Sequence, residues 1–572
     1  MSRFIDALVQ SAGADTGMTT GVPHTPVCTS WSAVHESARR GAAVLADAGV
    51  ESGSAVAILA GRPADVAPAA QAVWLAGGSV TMLHQPTART DLTRYAADTL
   101  TVLGVIGAQH VIVGDPFTEV AEMLEGSGFA AVTAGELAAG TRAANIADTP
   151  EDATALLQLT SGSTAAPKAV RITHRNLWAN ISGMVEIAAL DPERDVMVSW
   201  LPLFHDMGMV GFLTVPMCRG IELVKATPTD FLGSPLMWLE LIDRFRGTVT
   251  AAPNFAYALA ARVLPRATDL DLSSLRFALN GAEPIDVAAV RSFLAAGAPF
   301  GLRDTAVVPA YGMAEATLGV AFHPWGTPLA IDLIDAAQLE EQHRAVPTGG
   351  AGEYDATRAA GDQPSGQARP EGGVIPDPGM AANTRSFPLL GPPLPGIEVA
   401  VRSDDGTDLG EREVGTLMIR GESVTEQYLT VDGPVPTRGA DNWLDTGDLG
   451  YLVDGQVVVC GRAKDIIIMG GRNIYPTDIE RAAQSVPGVR AGNAAAVRLD
   501  AGARREGFAV IAESKLARDE GENARIAREV RAAVTAQLGV RPATVLVVPA
   551  GTLPKTPSGK VKRAAAIALL PS

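Results

Sequence analysis

Apolar residues recur along the first third of the chain in two alternating rhythms. From Trp31 to Val50 they fall at helical spacing, with Trp31, Val34, Ala38 and Leu45 on one face and Gly49 near the end. Ala55-Val-Ala-Ile-Leu-Ala60 and His110-Val-Ile-Val-Gly114 are short continuous apolar runs, the pattern of strands buried on both faces. Helix and strand in turn predict α/β layers built on a largely parallel sheet. The rhythm stops between about Pro347 and Arg385, where Gly, Pro, Ala, Asp and Arg dominate; this predicts a mobile surface loop. It resumes in a different form after Arg462-Ala-Lys464-Asp465. There Ile466-Ile-Ile-Met469 reads as a strand, and Ile526, Val530, Val534 and Leu538 recur every fourth residue, as on one face of a helix. That is enough for a small α+β domain over 464–572, behind a body of 1–463 and a boundary at Lys464-Asp465. No internal repeats interrupt the pattern.

Length agrees with this division, because 572 residues exceed one compact core. With 47% hydrophobic and 19% charged residues the chain is globular and not disordered. A net charge of −17 argues against a nucleic-acid binder but not against small anionic ligands held in a local positive pocket. Cys28, Cys218 and Cys460 form no metal-ligand spacing and no even framework, so three reduced thiols in a cytoplasmic protein are expected. The N-terminus has no apolar signal core, and no stretch approaches the ~20 apolar residues that span a bilayer.

The chemistry is concentrated in four short runs. In Leu157-Gln-Leu-Thr160-Ser161-Gly162-Ser163-Thr164-Ala165-Ala166-Pro167-Lys168, hydroxyls and small residues follow an apolar stretch and a lysine closes the run. Phosphate needs that combination of donors, close backbone approach and a cation. The spacing is not that of a Walker P-loop. Tyr311-Gly312-Met313-Ala314-Glu315 offers an aromatic face and a carboxylate, Leu444-Asp-Thr-Gly-Asp448 a carboxylate able to accept from a diol, and Pro554-Lys-Thr-Pro-Ser-Gly-Lys560 a lysine in a Gly/Ser/Pro setting. Taken singly, each run is also what an ordinary turn, strand end or solvated tail contains; their joint presence in this order is what carries meaning.

Together these runs resemble the adenylate-forming superfamily of acyl-CoA synthetases, luciferases and peptide-synthetase adenylation domains, over nearly the full length apart from the 347–385 loop. The resemblance implies a large N-terminal body of stacked α/β sheets plus a distorted β-barrel, with a small mobile α+β C-terminal domain. It implies ATP and Mg²⁺ as cofactors and an acyl-adenylate as product, with pyrophosphate released. By resemblance, Thr160, Ser161, Gly162, Ser163, Thr164 and Lys168 hold the β- and γ-phosphates. Gly281, Ala282 and Glu283, in Asn280-Gly-Ala-Glu-Pro284, line the adenine; Tyr311 stacks on it, with Gly312 and Met313 beside it. Glu315 helps hold Mg²⁺, and Asp448 and Arg462 take the ribose. Lys560 is the adenylation lysine, moved by rotation about the hinge Lys464-Asp465. His205, in Leu201-Pro-Leu-Phe-His-Asp-Met-Gly208, gates or orients the acid, unless it is structural. Ala165, Ala169 and Ala314 depart from the family, which commonly has Gly, Gly and Thr there. An alanine forced to φ > 0 at either of the first two would cost roughly 1 kcal/mol.

Within the superfamily, Trp200–Gly208, Pro253-Asn-Phe-Ala-Tyr257, Asn280–Pro284 and Gly471-Arg-Asn-Ile-Tyr-Pro-Thr-Asp-Ile-Glu480 resemble the fatty acyl-AMP ligase branch. Extra chain carrying Ile331-Asp-Leu-Ile-Asp335 and Arg344-Ala-Val-Pro347, before Gly391–Gly396, matches an insertion of that branch. The branch implies a fatty acid substrate and transfer to the phosphopantetheine thiol of an acyl carrier protein or polyketide synthase, with free CoA a poor acceptor. Met207, Met209, Val210, Phe212, Leu213, Phe255 and Tyr257 are candidate acyl-pocket residues, and equally ordinary core. Arg504, Arg505, Arg525, Arg528, Arg531 and Arg541 are a candidate basic patch for an acidic carrier. Two other readings are an acyl-CoA synthetase and a non-catalytic acyl-adenylate or nucleotide sensor. Retention of Glu315, Asp448 and Lys560 weighs against the sensor.

Overall fold

A computed structural model describes residues 1–86, 90–160, 167–348, 352–353, 384–469, 472–499, 506–555 and 561–571. Ser161, Gly162, Ser163, Thr164, Ala165, Lys560, Arg504, Arg505 and most of 347–385 therefore lie outside the described residues.

Two eight-stranded sheets make the body. In the first, the strands Val307–Gly312, Phe277–Asn280, Val249–Ala252, Val196–Ser199, Glu222–Lys225 and Gly17–Thr20 run parallel in that order, and antiparallel strands close both edges. In the second, Thr154–Thr160, Ser79–Met82, Ala55–Leu59, His110–Val113 and Ala130–Thr133 are parallel, extended antiparallel by Lys168–Thr173, Gln427–Thr430 and Gly433–Pro436. The predicted apolar runs are the inner strands of this second sheet. Their side chains are buried because helices cover both faces, as parallel sheets require.

The helix expected from Trp31 spans Trp31–Asp47. Ser30 caps it by accepting from the Ala33 N–H, and Gly49 at φ +93° lets the chain leave it. Trp31, Val34, Ala38 and Leu45 are all buried, as the spacing predicts. Trp31 also donates from Nε1 to the Ile221 carbonyl, just before strand Glu222–Lys225, which ties this helix to the first sheet.

The region expected to hold the distorted β-barrel contains two antiparallel sheets. Ile397–Arg402, Gly415–Gly421, Leu444–Val453 and Gln456–Arg462 form a meander, and Gly352–Glu353, Ala330–Asp335 and Thr384–Pro388 form a second sheet. The loop expected over 347–385 is corrected at two places: Gly352–Glu353 forms a short strand, and the loop's last residues, Thr384 and Arg385, begin another. Arg385 is buried despite its charge because Glu340 and Asp478 pair with it, a long-range neutralisation that local composition cannot reveal.

Beyond Asp465 the chain has its own core. The sheet Val489–Leu499, Gly507–Ser514, Thr544–Pro549 packs against helices Pro476–Gln484 and Glu520–Leu538, with Ile526, Val530 and Val534 fully buried between them. The strand read at 466–469 spans Ile467–Met469 and pairs with Arg472–Ile474. All three cysteines are free. No helix among the described residues is long and apolar enough to cross a membrane.

Candidate functional site

Residues from three sheets meet at the carboxyl ends of the first sheet's strands, the edge where open α/β sheets bind ligands. Tyr311 lies near the end of strand Val307–Gly312 and is buried. Its hydroxyl donates to Asp448 Oδ2 at 2.7 Å. Asp448 lies opposite Arg462 in the meander, and Arg462 Nε stands 3.0 Å from Oδ1. Thr446 Oγ1 accepts from the Asp448 N–H, and Gly447 at φ +69° makes the bend that aims the carboxylate inward. Burial pushes the Asp448 carboxyl up, while Arg462 and the Tyr311 hydroxyl oppose that shift. Two residues 137 positions apart are thus joined in one polar unit.

Glu315 sits in the short turn Ala314–Ala316. Its backbone carbonyl accepts from Thr425 N–H at 2.7 Å, and its Oε1 accepts from the Tyr428 hydroxyl at 2.6 Å. Lys168, first residue of its strand, places Nζ 3.8 Å from the same Oε1 and 3.7 Å from the centre of the Tyr428 ring. Burial lowers the Lys168 pKa; Glu315 opposes this and Arg462 adds to it. Lys464, in the short turn Ala463–Asp465, is likewise lowered by burial first, and the charges of Arg462, Asp448 and Lys168 all reach it. Three cations and two carboxylates therefore share this pocket. That donor set suits a polyphosphate with a divalent cation, since Mg²⁺ takes one or two carboxylates plus phosphate oxygens.

The backbone beside this pocket is closely packed. A Cβ on Gly281 would lie 3.2 Å from the Ala310 carbonyl oxygen, and one on Gly312 only 2.3 Å from that of Leu318. Ala282 sits at φ +68°, a conformation a side chain rarely adopts. Glu283 turns to structural work here: its Oε1 accepts from the Phe255 N–H at 2.6 Å at the start of helix Asn254–Val263. Thr160 Oγ1 is buried with no partner among the described residues. Ala169 lies in a regular strand opposite Leu159 and Leu429, so it carries none of the strain considered for it.

His205 Nδ1 stands 2.5 Å from Asp206 Oδ1, and that carboxylate oxygen accepts from the Met207 N–H at 2.7 Å. It precedes a π-helical stretch, Met207–Thr214, whose entry needs Gly208: a Cβ there would lie 2.1 Å from the Pro202 carbonyl oxygen. Met207, Met209, Val210, Phe212 and Leu213 are buried in this stretch. Tyr257 is core, enclosed by Trp238 and Phe293 with its hydroxyl on the Leu279 carbonyl, whereas Phe255 is only half-buried beside Trp200 and Phe231.

Two site residues escaped the sequence reading. Tyr428 belongs to an unremarkable strand, Gln427–Thr430, and only its pairing with Lys168–Thr173 brings it to the pocket. His84 follows a buried strand, with its ring 5.4 Å from that of Phe204. Burial, then the charges of His205 and Lys562, push it down to about 4, so it is neutral at pH 7. The segment beyond Val561 therefore lies within electrostatic reach of His205's neighbourhood. Lys555, by the same kind of coupling, feels Glu283.

A sequence model of AMP-binding enzymes matches residues 18–353. The chain belongs to the AMP-binding enzyme family. It is 51% identical, over the whole of both chains, to a putative ligase, Rv1013, of Mycobacterium tuberculosis. It is 32% identical to the medium-chain-fatty-acid–[acyl-carrier-protein] ligase JamA of Moorena producens, with 73% of this chain and 68% of that one covered. Among solved structures, one from a study of fatty acyl-adenylate ligases of E. coli and L. pneumophila superposes with a TM-score of 0.85 at 30% identity, covering 99% and 97% of the two chains. As a family member the chain is an adenylate-forming ligase of the fatty-acid type, and the family's nucleotide is ATP.

Proposed function

We propose that this ligase activates a fatty acid as its acyl-adenylate and then delivers the acyl group to the phosphopantetheine thiol of an acyl carrier protein or polyketide synthase. The observation that carries the first half is the joined unit Tyr311–Asp448–Arg462 lying beside Glu315–Lys168. An aromatic face, a diol acceptor and a phosphate cation stand in the order in which a nucleotide presents base, ribose and phosphates. In this reading Tyr311, Gly281 and Ala282 enclose the adenine, and Asp448 and Arg462 hold the ribose. Lys168 and the run Thr160–Thr164 take the terminal phosphates, and Glu315 holds Mg²⁺. When bound, the metal shields phosphate charge and so lets a carboxylate approach. Lys560 then stabilises the charge that builds as the fatty carboxylate attacks the α-phosphate.

Residues 464–572 form the moving part, and Lys464-Asp465 its hinge. Lys464 contributes to the phosphate pocket, while Asp465 pairs with Arg563 at 3.0 Å within the following unit. The hinge is thus anchored on one side and functional on the other. The names of relatives such as JamA, together with the apolar wall of Met207–Leu213, support a fatty acid and a carrier protein. Transfer to free CoA is the second reading. For carrier docking, Arg525 is spent on Glu522 and Glu529 of its own helix, which leaves Arg528, Arg531 and Arg541 as the described candidates.

One incubation tests the proposal: protein, ATP, Mg²⁺, a panel of fatty acids and free CoA, read by mass spectrometry. Acyl-AMP without acyl-CoA is the expected result. Rapid acyl-CoA formation would transfer the conclusion to a CoA synthetase, and no adenylate from any acid would remove it.

A further inference from the structure

The site contains one aromatic side chain that neither the sequence motifs nor the roles above use. Tyr428 touches both charged partners at once. Its hydroxyl donates to Glu315 Oε1 at 2.6 Å, and its ring face lies 3.7 Å beneath Lys168 Nζ. The two contacts are of different kinds, one a hydrogen bond to an anion and the other a cation over a π face. The strand that carries Tyr428 is fixed independently. It pairs with Lys168–Thr173, Thr425 N–H binds the Glu315 carbonyl, and Thr425 Oγ1 donates to the Arg171 carbonyl. Backbone and side chain of one short segment therefore hold Glu315 at two points.

We propose that Tyr428 is a positioning residue for MgATP: it commits Glu315 Oε1 to its own hydroxyl, so that Oε2 is presented to the cation, and it supplies a resting surface for Lys168. This rests on the reading of Glu315 as the Mg²⁺ carboxylate. The reason for such a residue lies in the pocket itself. There Lys168 and Glu315 face each other at 3.8 Å and partly neutralise one another. Binding MgATP must separate them, the lysine toward phosphate and the carboxylate toward the metal. Without a third group, each would lose its partner and its orientation together. With Tyr428, the carboxylate keeps one charge-assisted hydrogen bond throughout, and the lysine moves from one attractive surface to another.

The measurement is a double-mutant cycle read by calorimetric binding of ATP, with and without Mg²⁺ and without fatty acid, so that no turnover is needed. Tyr428→Phe keeps the ring and removes the hydroxyl. It should weaken binding of MgATP about ten-fold, as for loss of one hydrogen bond to a charged group, and leave metal-free ATP binding nearly unchanged. In a Glu315→Gln background the same change should have little effect, because the charge it positions is gone. Equal weakening with and without Mg²⁺, or the same loss in both backgrounds, would overturn the proposal. Tyr428→Leu, which also removes the π face, should weaken metal-free ATP binding as well, through Lys168; no added loss would remove that part. Unaltered Mg²⁺ dependence in Glu315→Gln itself would instead defeat the assignment of Glu315, and so separates the two failures.

Discussion

Glu340→Ala should destabilise the protein by about 3 kcal/mol, which is large for one side chain of a surface helix. Glu340 lies on the helix Ala336–Gln342 and is 2% exposed. One carboxylate oxygen pairs with Arg385; the other accepts from Arg472 Nε at 2.8 Å. Arg385 also stands 2.9 Å from Asp478 Oδ2 and stacks on the Tyr475 ring, 4.8 Å to its centre. Glu340 and Arg385 precede the meander, whereas Arg472, Tyr475 and Asp478 follow Asp465, so the network ties the segment before the meander to the residues beyond Asp465. Breaking a buried ion pair by removing one partner costs about 3–5 kcal/mol, because the other charge is left uncompensated. The low end applies here: Arg385 retains Asp478 and Tyr475, and Arg472, about one-third exposed, retains the Leu538 carbonyl. Glu340→Gln keeps the shape and one acceptor, and should cost about half as much. The assay is urea unfolding at unchanged slope, joined to amide exchange, which should show lost protection on both sides of the network at Thr384–Pro388 and Arg472–Gln484. A loss below about 1 kcal/mol in both variants, or lost protection confined to the helix itself, would refute the reasoning.

Tyr311→Phe removes the donor to Asp448 while keeping the ring; KM for ATP should rise about ten-fold with that for the fatty acid unchanged, as steady-state kinetics would show. Lys225 is fully buried, bonded to Ser199 Oγ and the Leu201 carbonyl, and burial pushes its ammonium from the ordinary 10.5 down to about 7. Between those values the unfolded state holds the proton and the folded state does not, so wild-type stability gains from rising pH there. Lys225→Met should therefore be the more stable form below pH 7, by on the order of a few kcal/mol, and the gap should narrow toward pH 10 in urea titrations. Lys560→Ala should slow acyl-AMP formation on the order of 10²–10³-fold, while ATP binding measured by calorimetry stays within a few-fold.

What could be read from the sequence was what is local. Apolar runs such as Ala55–Leu59 declare a buried strand wherever they occur, and Trp31, Val34, Ala38 and Leu45 need only helical geometry to fall on one face. Asp448 and Arg462 were legible as a pair because they belong to adjacent strands of one meander, where register is set by the intervening turn. The missed residues share the opposite property. Tyr428 acquires its role from a strand placed more than 250 positions earlier, and Arg385 becomes a buried side chain only once Glu340 and Asp478 close on it. Neither carries a local signature: a tyrosine in a strand and an arginine at the end of a Gly/Pro-rich stretch are common. Glu283 shows a contact that its motif does not announce: one carboxylate oxygen accepts from the Phe255 N–H at the start of a neighbouring helix.

The charge arrangement also bears on the proposal that the nucleotide pocket is assembled from both parts of the chain. Lys168, Arg462 and Lys464 crowd around Asp448 and Glu315, and the pKa of each lysine is lowered by its cationic neighbours as well as by burial. Without nucleotide, bringing Lys464 close is therefore favoured by Asp448 and opposed by the other two cations. A polyphosphate changes that balance, because its negative charge turns the neighbouring cations from a source of repulsion into co-ligands of one anion. Anything that binds the assembled pocket more tightly than the separated one shifts the equilibrium by that difference in affinity and no more. On the hinge proposed above, a cation at Lys464 would make ATP the force that draws the C-terminal unit in, and departure of pyrophosphate, which removes most of that charge, the event that lets it leave.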